Sequence, residues 1–285
     1  MEKLQTLLNL LTSERRVHIS VLDVSGILNL PICELEFGSV IHSKNFCNIA
    51  KSTDEGFRAC LECKGKANKK ASDTREAFSG HCVFGLYEAA VPVIIDGNTA
   101  AVVYVGNAIL DEKRTRNKLI HTASATGADC AALLRELEFC ERIEDKGELF
   151  ALGNIVADYI KLITRGEAKS AGEVHWLVKA MKRHAEEENP TPSLKSLALI
   201  YNRNEKYMGR LFLKEVGMSF RSYAIKRRIN RAAEIISSRD GRIIDAALDC
   251  GFDNISYFNR AFQREFGVSP SEYRLMHGKK APSGN

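Results

Sequence analysis

The sequence has no long uninterrupted apolar run. A membrane-spanning helix needs about 20 consecutive apolar residues, and the most apolar stretch, residues 91–110, is broken by the polar residues 96–98. The first residues carry an acid at Glu2, and no cleavage site follows their apolar part, so they predict a helix and not a secretion signal. We therefore expect a cytoplasmic protein with no membrane partner.

The chain also lacks internal repeats and low-complexity tracts, and its last third is poor in acids. Residues 190–285 contain 17 Lys and Arg against 9 Asp and Glu, a net of +8, whereas residues 1–189 contain 24 against 27, a net of −3. A basic region on a mildly acidic body is typical of a protein that binds a polyanion. A solvated basic surface explains the charge alone equally well.

With 285 residues, 45% of them hydrophobic and 27% charged, the chain is long enough for two globular domains. Hydrophobic periodicity predicts a first domain over residues 1–165, with helices in 1–14, 55–76, 111–126, 128–140 and 145–165 and strands in 17–24, 81–95 and 98–107. The Asp96-Gly97 pair predicts a hairpin turn between the last two strands. This pattern indicates an α+β fold with an antiparallel sheet. Residues 166–190 are interpreted as a linker that contains a helix over 173–188, and residues 191–280 as an all-helical domain.

The helical domain shows two pairs of short helices. In the first pair, Ser193 is placed to cap a helix, a turn follows it, and Gly217 ends a second helix that begins near Glu205. In the second pair, residues 243–249 form a helix, and a turn leads into a helix over 254–265. Ser219 is placed to cap a longer helix between the pairs. Two short helices with a tight turn, the second with a polar outer face, are the helix-turn-helix pattern.

Motifs in this region resemble the DNA-binding domain of the AraC/XylS family of bacterial transcription regulators. They are A-x9-M-x2-LF-x4-G-x-SF-x2-Y (198–223), R-I-x2-A (228–232), I-x3-A-x3-GF (243–252), S-YF-x-R-x-F (256–262) and FGVSPSEYR (266–274). The resemblance covers the last 95 residues. It implies two helix-turn-helix subdomains joined by a long helix, with both recognition helices in successive major grooves. The positions that it places against bases are Lys206, Gly209, Arg210, Ile255, Ser256, Asn259 and Arg260.

The chemistry of these side chains agrees at some positions. Arg210 and Arg260 can pair with guanine, and Asn259 can pair with adenine. Gly209 has no side chain with which to read a base, so we expect no discrimination there. Four basic residues of the connecting helix are candidates for phosphate contacts, which position a protein without reading sequence. They are Arg221, Lys226, Arg227 and Arg228.

The segments 46–67 and 81–109 resemble the PocR-type sensory domain, which is PAS-like. The pattern that carries this resemblance is Cys47, the Cys60-x2-Cys63 pair, Cys82 with Gly85-Leu86, Pro92, and a hairpin with Gly97 and Gly106. The resemblance covers roughly residues 5–165, and it implies a pocket for a small organic effector. From their places on the predicted strands, the candidate pocket residues are Phe84, Tyr87, Glu88 and Tyr104. Among them, Glu88 needs a partner because apolar strand residues flank its carboxylate.

Eight cysteines in a chain without a secretory signal are expected to be reduced. Four of them, Cys47, Cys60, Cys63 and Cys82, are candidates for a zinc or iron–sulfur site. The alternatives are four reduced thiols in a core or pocket, which we favour and which need no cofactor, or a redox dithiol at Cys60 and Cys63. We assign no site to His18, His42 or His121.

Together these features predict a ligand-responsive, sequence-specific regulator of transcription and not an enzyme. The expected partners are double-stranded promoter DNA, a small organic effector and a second copy of the chain through the leucine face of residues 4–11, with RNA polymerase a further candidate. Those leucines serve equally well as ordinary core. Two alternatives stay open: a redox or metal sensor that uses the four cysteines, and a zinc-thiolate methyl acceptor of DNA repair, a module to which AraC-type domains are also fused.

Overall fold

The computed structural model of the chain describes residues 3–165, 175–188, 191–238 and 241–277. The chain packs as two compact units. The first is Met1–Trp176 together with the short segment Ala198–Asn204, and the second is Leu177–Leu197 with Glu205–Asn285. Residues 166–174 of the predicted linker, residues 189–190 and residues 278–280 lie outside the described part. No described helix is long and apolar enough to cross a membrane.

The first unit is a five-stranded sheet with helices packed against it. Its helices are α1 (Leu4–Thr12), α2 (Asn45–Ala50), α3 (Asp54–Thr74), α4 (Glu112–Thr126), α5 (Cys130–Glu136) and α6 (Gly147–Ile163). Its strands are β1 (His18–Asp23), β2 (Phe78–His81), β3 (Tyr87–Ile95), β4 (Asn98–Ile109) and β5 (Glu141–Arg142). The antiparallel order is β1-β4-β3-β2, and β5 pairs with β4 in parallel. The predicted α+β class with an antiparallel sheet is confirmed.

The predicted hairpin between β3 and β4 is also confirmed. Ile95 lies opposite Asn98, and both turn residues have positive φ, 49° at Asp96 and 73° at Gly97. Positive φ at both central positions is what a two-residue hairpin with the natural strand twist requires.

The prediction of one strand over residues 81–95 is wrong, because the chain turns between β2 and β3. Gly85 lies in this turn with φ of 97°, and a Cβ there would come within 2.7 Å of the Thr115 carbonyl oxygen. Only glycine fits such a position without strain.

Alternation along β4 gives the sheet two different faces. Val103 and Val105 belong to a large apolar core shared with α1 and α6, in which Leu4 and Leu8 are also buried. The two leucines are therefore core residues, as one of the sequence interpretations expected. Tyr104 points to the other face, where it contacts α3.

All regular structure described from residue 175 onward is helical. The helices of this part of the chain are α7 (Trp176–Glu187), α8 (Leu194–Ile200), α9 (Glu205–Val216), α10 (Phe220–Ser238), α11 (Ile243–Asp249), α12 (Ile255–Phe266) and α13 (Pro270–His277). The helices α8 and α9 form the first predicted helix-turn-helix, α11 and α12 form the second, and α10 connects them. Helix α13 was not predicted.

Local sequence signals fix where these helices begin and end. The Ser193 and Ser219 hydroxyls each accept a hydrogen bond from the backbone N–H three residues later, both at 3.1 Å, as capping requires. Asn254 caps α12 in the same way. Gly217 and Gly267 follow α9 and α12 with φ of 78°, the left-handed conformation that commonly ends a helix.

Aromatic packing holds α12 in the second unit. Phe258 and Phe262 are fully buried, and they form a ladder with Phe252 and Phe266 in which neighbouring ring centroids lie 4.8–5.6 Å apart. Helix α10 contributes Ile229 and Ile236 to the same core. Because the phenylalanines hold one side of α12, its polar side faces outward.

Candidate ligand pocket and nucleic-acid interface

A small cavity of about 40 Å³ lies inside the first unit, next to the sheet. Helices α2 and α3 provide much of its wall, and β3 and the turn before it complete it. Its lining residues are His42, Phe46, Cys47, Ala50, Cys60, Cys63, Lys64, Cys82, Val83, Phe84 and Glu88. The spacing of Cys60, Cys63 and Lys64 places them on one face of α3, because residues three and four apart share a helix face. The volume suits a few non-hydrogen atoms, since one water needs about 10–15 Å³ by this kind of measure.

Three polar groups meet at this cavity. Nε2 of His42 lies 3.1 Å from Lys64 Nζ and 3.4 Å from Glu88 Oε2, and the Lys64 and Glu88 groups are 4.0 Å apart. Burial lowers the pKa of His42 well below its usual value, with a further contribution from Lys64, so its ring is neutral. A neutral Nε2 without a proton accepts from Lys64, which is the shorter of its two contacts.

The thiols of the cavity are held in their neutral form. Burial raises the pKa of Cys47 to about 12, and it raises the pKa values of Cys60, Cys63 and Cys82 as well. A thiol kept protonated by burial is a poor nucleophile, because nucleophilic attack needs the thiolate. Burial also lowers the pKa of Lys64, an effect that the Glu88 carboxylate partly offsets. The polar groups in contact at the cavity are therefore one imidazole, one amine and one carboxylate.

Two of the four predicted pocket residues line the cavity. Phe84 and Glu88 do so, whereas Tyr104 lies behind Lys64, whose Nζ is 2.9 Å from the centroid of its ring. Tyr87 is not among the lining residues, because its hydroxyl is directed at Ser79 of the adjacent strand at 2.9 Å.

Sequence reasoning missed Lys64 and left His42 without a role, and the structure corrects both. Lys64 follows Cys63 and lies one helical turn after Cys60, so the face of α3 that carries the cysteines was a usable signal. His42 lies in the irregular segment just before α2, four residues ahead of Phe46, and no helix or strand period connects it to the other lining residues. His18 lies close to His42, with ring centroids 5.7 Å apart.

The cysteine prediction is partly supported by geometry. Cys47, Cys60, Cys63 and Cys82 all line the one cavity, although they come from three separate segments. Across the described ranges, however, no three or more His, Cys, Asp or Glu side chains are arranged to hold a metal ion. The geometry as it stands is that of a thiol-lined pocket.

The predicted base-reading residues lie on the outer faces of α9 and α12. Lys206 and Arg210 are exposed on α9, where they flank a shallow cleft with Gly209. On α12, Ser256, Asn259 and Arg260 are exposed. Ile255 is only half-exposed, because it packs partly on the aromatic core. The core-facing sides of α9 and α12 are buried, so each of these helices presents its polar side at the surface.

The four phosphate candidates of α10 differ in their surroundings. Arg221 is exposed at the start of the helix. Lys226 forms an ion pair with Glu265 at 2.6 Å, and Arg227 lies 3.7 Å from Glu186. Arg228 is used inside the unit: its Nε donates to the Cys250 carbonyl oxygen at 2.8 Å, and its guanidinium lies 4.2 Å from the centre of the Phe252 ring. These contacts of Arg228 are internal to the unit, and its contact with a phosphate stays a prediction.

Comparison with known families agrees with both halves of this description. A family model described as "Sensory domain found in PocR" matches residues 1–160, and one described as "Helix-turn-helix domain" matches residues 197–276. The first covers more than half of the chain. The chain therefore belongs to the family that carries the PocR sensory domain, and its C-terminal part is an AraC-type helix-turn-helix domain.

Individual relatives match mainly over part of the chain. The transcriptional regulatory protein YesN of Bacillus subtilis is 32% identical over 143 residues, which is 48% of this chain and 37% of that protein. The transcriptional activator RhaR of Yersinia pseudotuberculosis is 36% identical over 70 residues, 25% of this chain and 24% of that protein. The chain thus spans about a third or less of the length of these curated relatives. Among solved structures, the C-terminal domain of AraT from Geobacillus stearothermophilus is 27% identical, with a TM-score of 0.38, and covers 40% of this chain and 95% of that one.

Proposed function

We propose that the chain is a sequence-specific, DNA-binding regulator of transcription that responds to a small organic effector. The observation that carries this proposal is the pair of exposed polar helix faces, on α9 and α12, each held outward by a buried core in a basic domain of AraC type. Guanidinium and amide groups at Arg210, Arg260 and Asn259 are suited to the edges of guanine and adenine in the major groove.

The effector pocket is assigned to the cavity of the first unit. The Lys64 amine and the Glu88 carboxylate lie 4.0 Å apart as an ion pair, and thiols and the His42 ring surround them. A charged ligand would leave a buried charge unpaired, which is costly. The cavity therefore suits a small uncharged molecule with a group that can hydrogen-bond to Glu88 or Lys64.

A selection experiment tests the DNA-binding half of the proposal. The full chain is incubated with a random double-stranded DNA library, and the bound duplexes are sequenced. We expect a defined motif with two half-sites about one helical turn apart. The Arg260→Ala and Arg210→Ala variants should lose discrimination at one or two positions by about 1–3 kcal/mol each.

Arg242→Ala is the matched control, because it also removes one positive charge. Arg242 lies just before α11, outside both recognition helices, and pairs with Asp245. The variant should leave the selected motif unchanged. Enrichment of no motif by the wild-type chain, or an unchanged motif in both recognition-helix variants at matched salt, would contradict the proposal.

Convergence of four cysteines on one cavity favours a second candidate, in which the first unit senses a metal or the redox state. It is tested by measuring metal and sulfide per chain on protein purified without oxygen, beside the Cys60→Ser/Cys63→Ser double variant. Stoichiometric metal that the variant loses would support this candidate. The methyl-acceptor alternative needs a zinc-bound, activated thiolate, and it fits less well because no three His, Cys, Asp or Glu side chains of the described residues are arranged to hold a metal ion. Incubation with methylated DNA, followed by mass measurement of the chain, tests it.

The further partners remain part of the proposal. We expect a second copy of the chain, which light scattering on the purified protein tests directly. RNA polymerase is the other expected partner, and a transcription assay on the selected DNA site tests its recruitment.

A further inference from the structure

Tyr104 is in contact with two residues of α3 that lie one turn apart. Nζ of Lys64 sits over the face of its ring, and its hydroxyl donates a hydrogen bond to Oδ1 of Asn68. Residues four apart on a helix share a face, so Lys64 and Asn68 hold the same tyrosine at its ring and at its hydroxyl. Tyr104 is almost completely buried and has little room to move independently of them.

The other end of the Asn68 amide is also bonded. Its Nδ2 donates to the carbonyl oxygen of Ile200 at 2.6 Å, and the residue is only 1% exposed. Gly65, on the same side of α3, allows the close approach, since a Cβ there would lie 3.2 Å from Leu199. A buried amide left unpaired costs free energy comparable to a lost hydrogen bond, so Asn68 fixes both of its partners.

The bonded carbonyl lies in the segment Ala198–Asn204, which packs as part of the first unit. A second bond holds the same segment, from Arg203 to the Val24 carbonyl oxygen at 3.0 Å. Ile200 is the last residue of α8, and α9 begins at Glu205. The segment is therefore the turn that precedes the first recognition helix, α9.

Lys64 also lines the cavity, so a molecule that enters it meets this amine directly. A ligand that accepts a hydrogen bond from Lys64 would compete with the Tyr104 ring for its Nζ. We propose that Asn68 is a positioning residue of the ligand response, which passes a displacement of Lys64, through Tyr104, to the Ile200 carbonyl and thereby to the turn before α9. This inference rests on the proposed function, because it takes the cavity as the effector pocket.

The test is a double-mutant cycle read by amide hydrogen exchange in residues 198–204 of the full chain. Lys64→Met imitates the loss of the amine from the Tyr104 ring while keeping the length of the side chain. Tyr104→Phe removes only the hydroxyl that bonds Asn68. We call the proposed path from Lys64 through Tyr104 and Asn68 to the Ile200 carbonyl the relay. If the relay exists, Lys64→Met speeds amide exchange of residues 198–204 roughly two- to tenfold, the range for one hydrogen bond. The same substitution then has little further effect in a chain that already carries Tyr104→Phe.

A merely structural role for Asn68 predicts a different result. Each single variant would then change exchange by its own factor, and the factors would multiply in the double variant, as for independent sites. That result, or no effect of Lys64→Met on residues 198–204, would overturn the proposal. Asn68→Leu gives a second cycle with Lys64→Met and should abolish the coupling in the same way. If it does not fold, the Tyr104→Phe cycle decides alone.

Thr115→Val is the matched control, because it also deletes a buried side-chain hydrogen bond to a backbone carbonyl, that of Gly85 at 3.1 Å. It should leave the effect of Lys64→Met on the segment intact. DNA binding by the same proteins, measured on duplexes selected with the wild-type chain, is a separate readout. If the two substitutions are coupled in the exchange cycle but the protein binds no DNA, the proposed function is rejected and the relay is kept. If the protein binds DNA but the effects of the two substitutions on exchange multiply, the relay alone is rejected.

Discussion

Replacing Arg228 separates two roles that a basic residue on α10 can have. Its Nε bonds the Cys250 carbonyl oxygen at the end of α11, a position where helical carbonyls lack partners of their own. Its guanidinium also lies 4.2 Å from the centre of the Phe252 ring. A hydrogen bond from a charged donor contributes about 1.5–3 kcal/mol, and a partly desolvated cation–π contact about 1 kcal/mol. We therefore expect Arg228→Met to destabilise the second unit by about 2–4 kcal/mol.

Hydrogen exchange of the α11 and α12 amides is the suitable assay, because it reports on the second unit separately in a chain with two units. In the same variant, the dependence of DNA affinity on salt should keep its wild-type slope wherever the protein is folded. The exposed Arg221 should show the opposite pattern. Arg221→Met should leave exchange unchanged and reduce the magnitude of the slope of log K against log salt by about 0.9, the value for one phosphate contact.

The reverse outcome would refute this reasoning. Suppose that Arg228→Met leaves α11 and α12 protected from exchange and reduces the magnitude of the salt slope by about 0.9, the value for one phosphate contact. The guanidinium then contacts DNA, and its internal hydrogen bond contributes little to stability. A variant that changes both quantities would show that the two roles coexist.

Three other predictions concern the aromatic core, the pH dependence and the thiols. Phe258→Ala should destabilise the second unit by about 3–5 kcal/mol, the usual cost for a fully buried phenylalanine, and protection of α12 that survives it would contradict the packing described here. Burial lowers the pKa of His18 to about 4 from 6.5, so between these values the unfolded chain binds more protons and the first unit should lose stability as the pH falls. Urea titrations across that range should show the loss, and His18→Gln should reduce it. Cys47, whose pKa burial raises to about 12, should react with iodoacetamide at neutral pH far more slowly in the folded chain than in urea, as mass spectrometry of the peptides can measure.

The second unit was largely predictable because its signals are local. Ser193, Ser219 and Gly217 mark helix ends through hydrogen bonds and backbone angles within three residues of themselves. The phenylalanines of α12 follow the period of the helix that they anchor. Helix α13 was not predicted individually, although it begins at Pro270 and proline is well suited to the first position of a helix.

The cavity was only partly predictable, since its residues come from segments far apart in sequence. Shared chemistry suggested correctly that Cys47, Cys60, Cys63 and Cys82 belong together. The cysteine face of α3 was the one local signal for Lys64, but its contacts with Glu88 and Tyr104 depend on strands that come after the helix in sequence. Tyr87 was expected in the cavity because it lies on the right strand, but its hydroxyl bonds Ser79 instead.

The boundary between the two units shows a limit of pattern recognition. The helix-turn-helix signature assigns the whole of α8 and its turn to the C-terminal domain, and the family match begins at residue 197. Packing assigns Ala198–Asn204 to the first unit, where Asn68 and Arg203 supply its bonds and Tyr201 packs against Trp176 with ring centroids 5.9 Å apart. A helix-turn-helix motif contains the residues that the helix pair needs for its own geometry. The packing of its turn depends in addition on residues such as Asn68, which lies more than a hundred residues away in sequence. The segment Ala198–Asn204 meets both requirements, since it is the turn of the helix pair and also packs within the first unit.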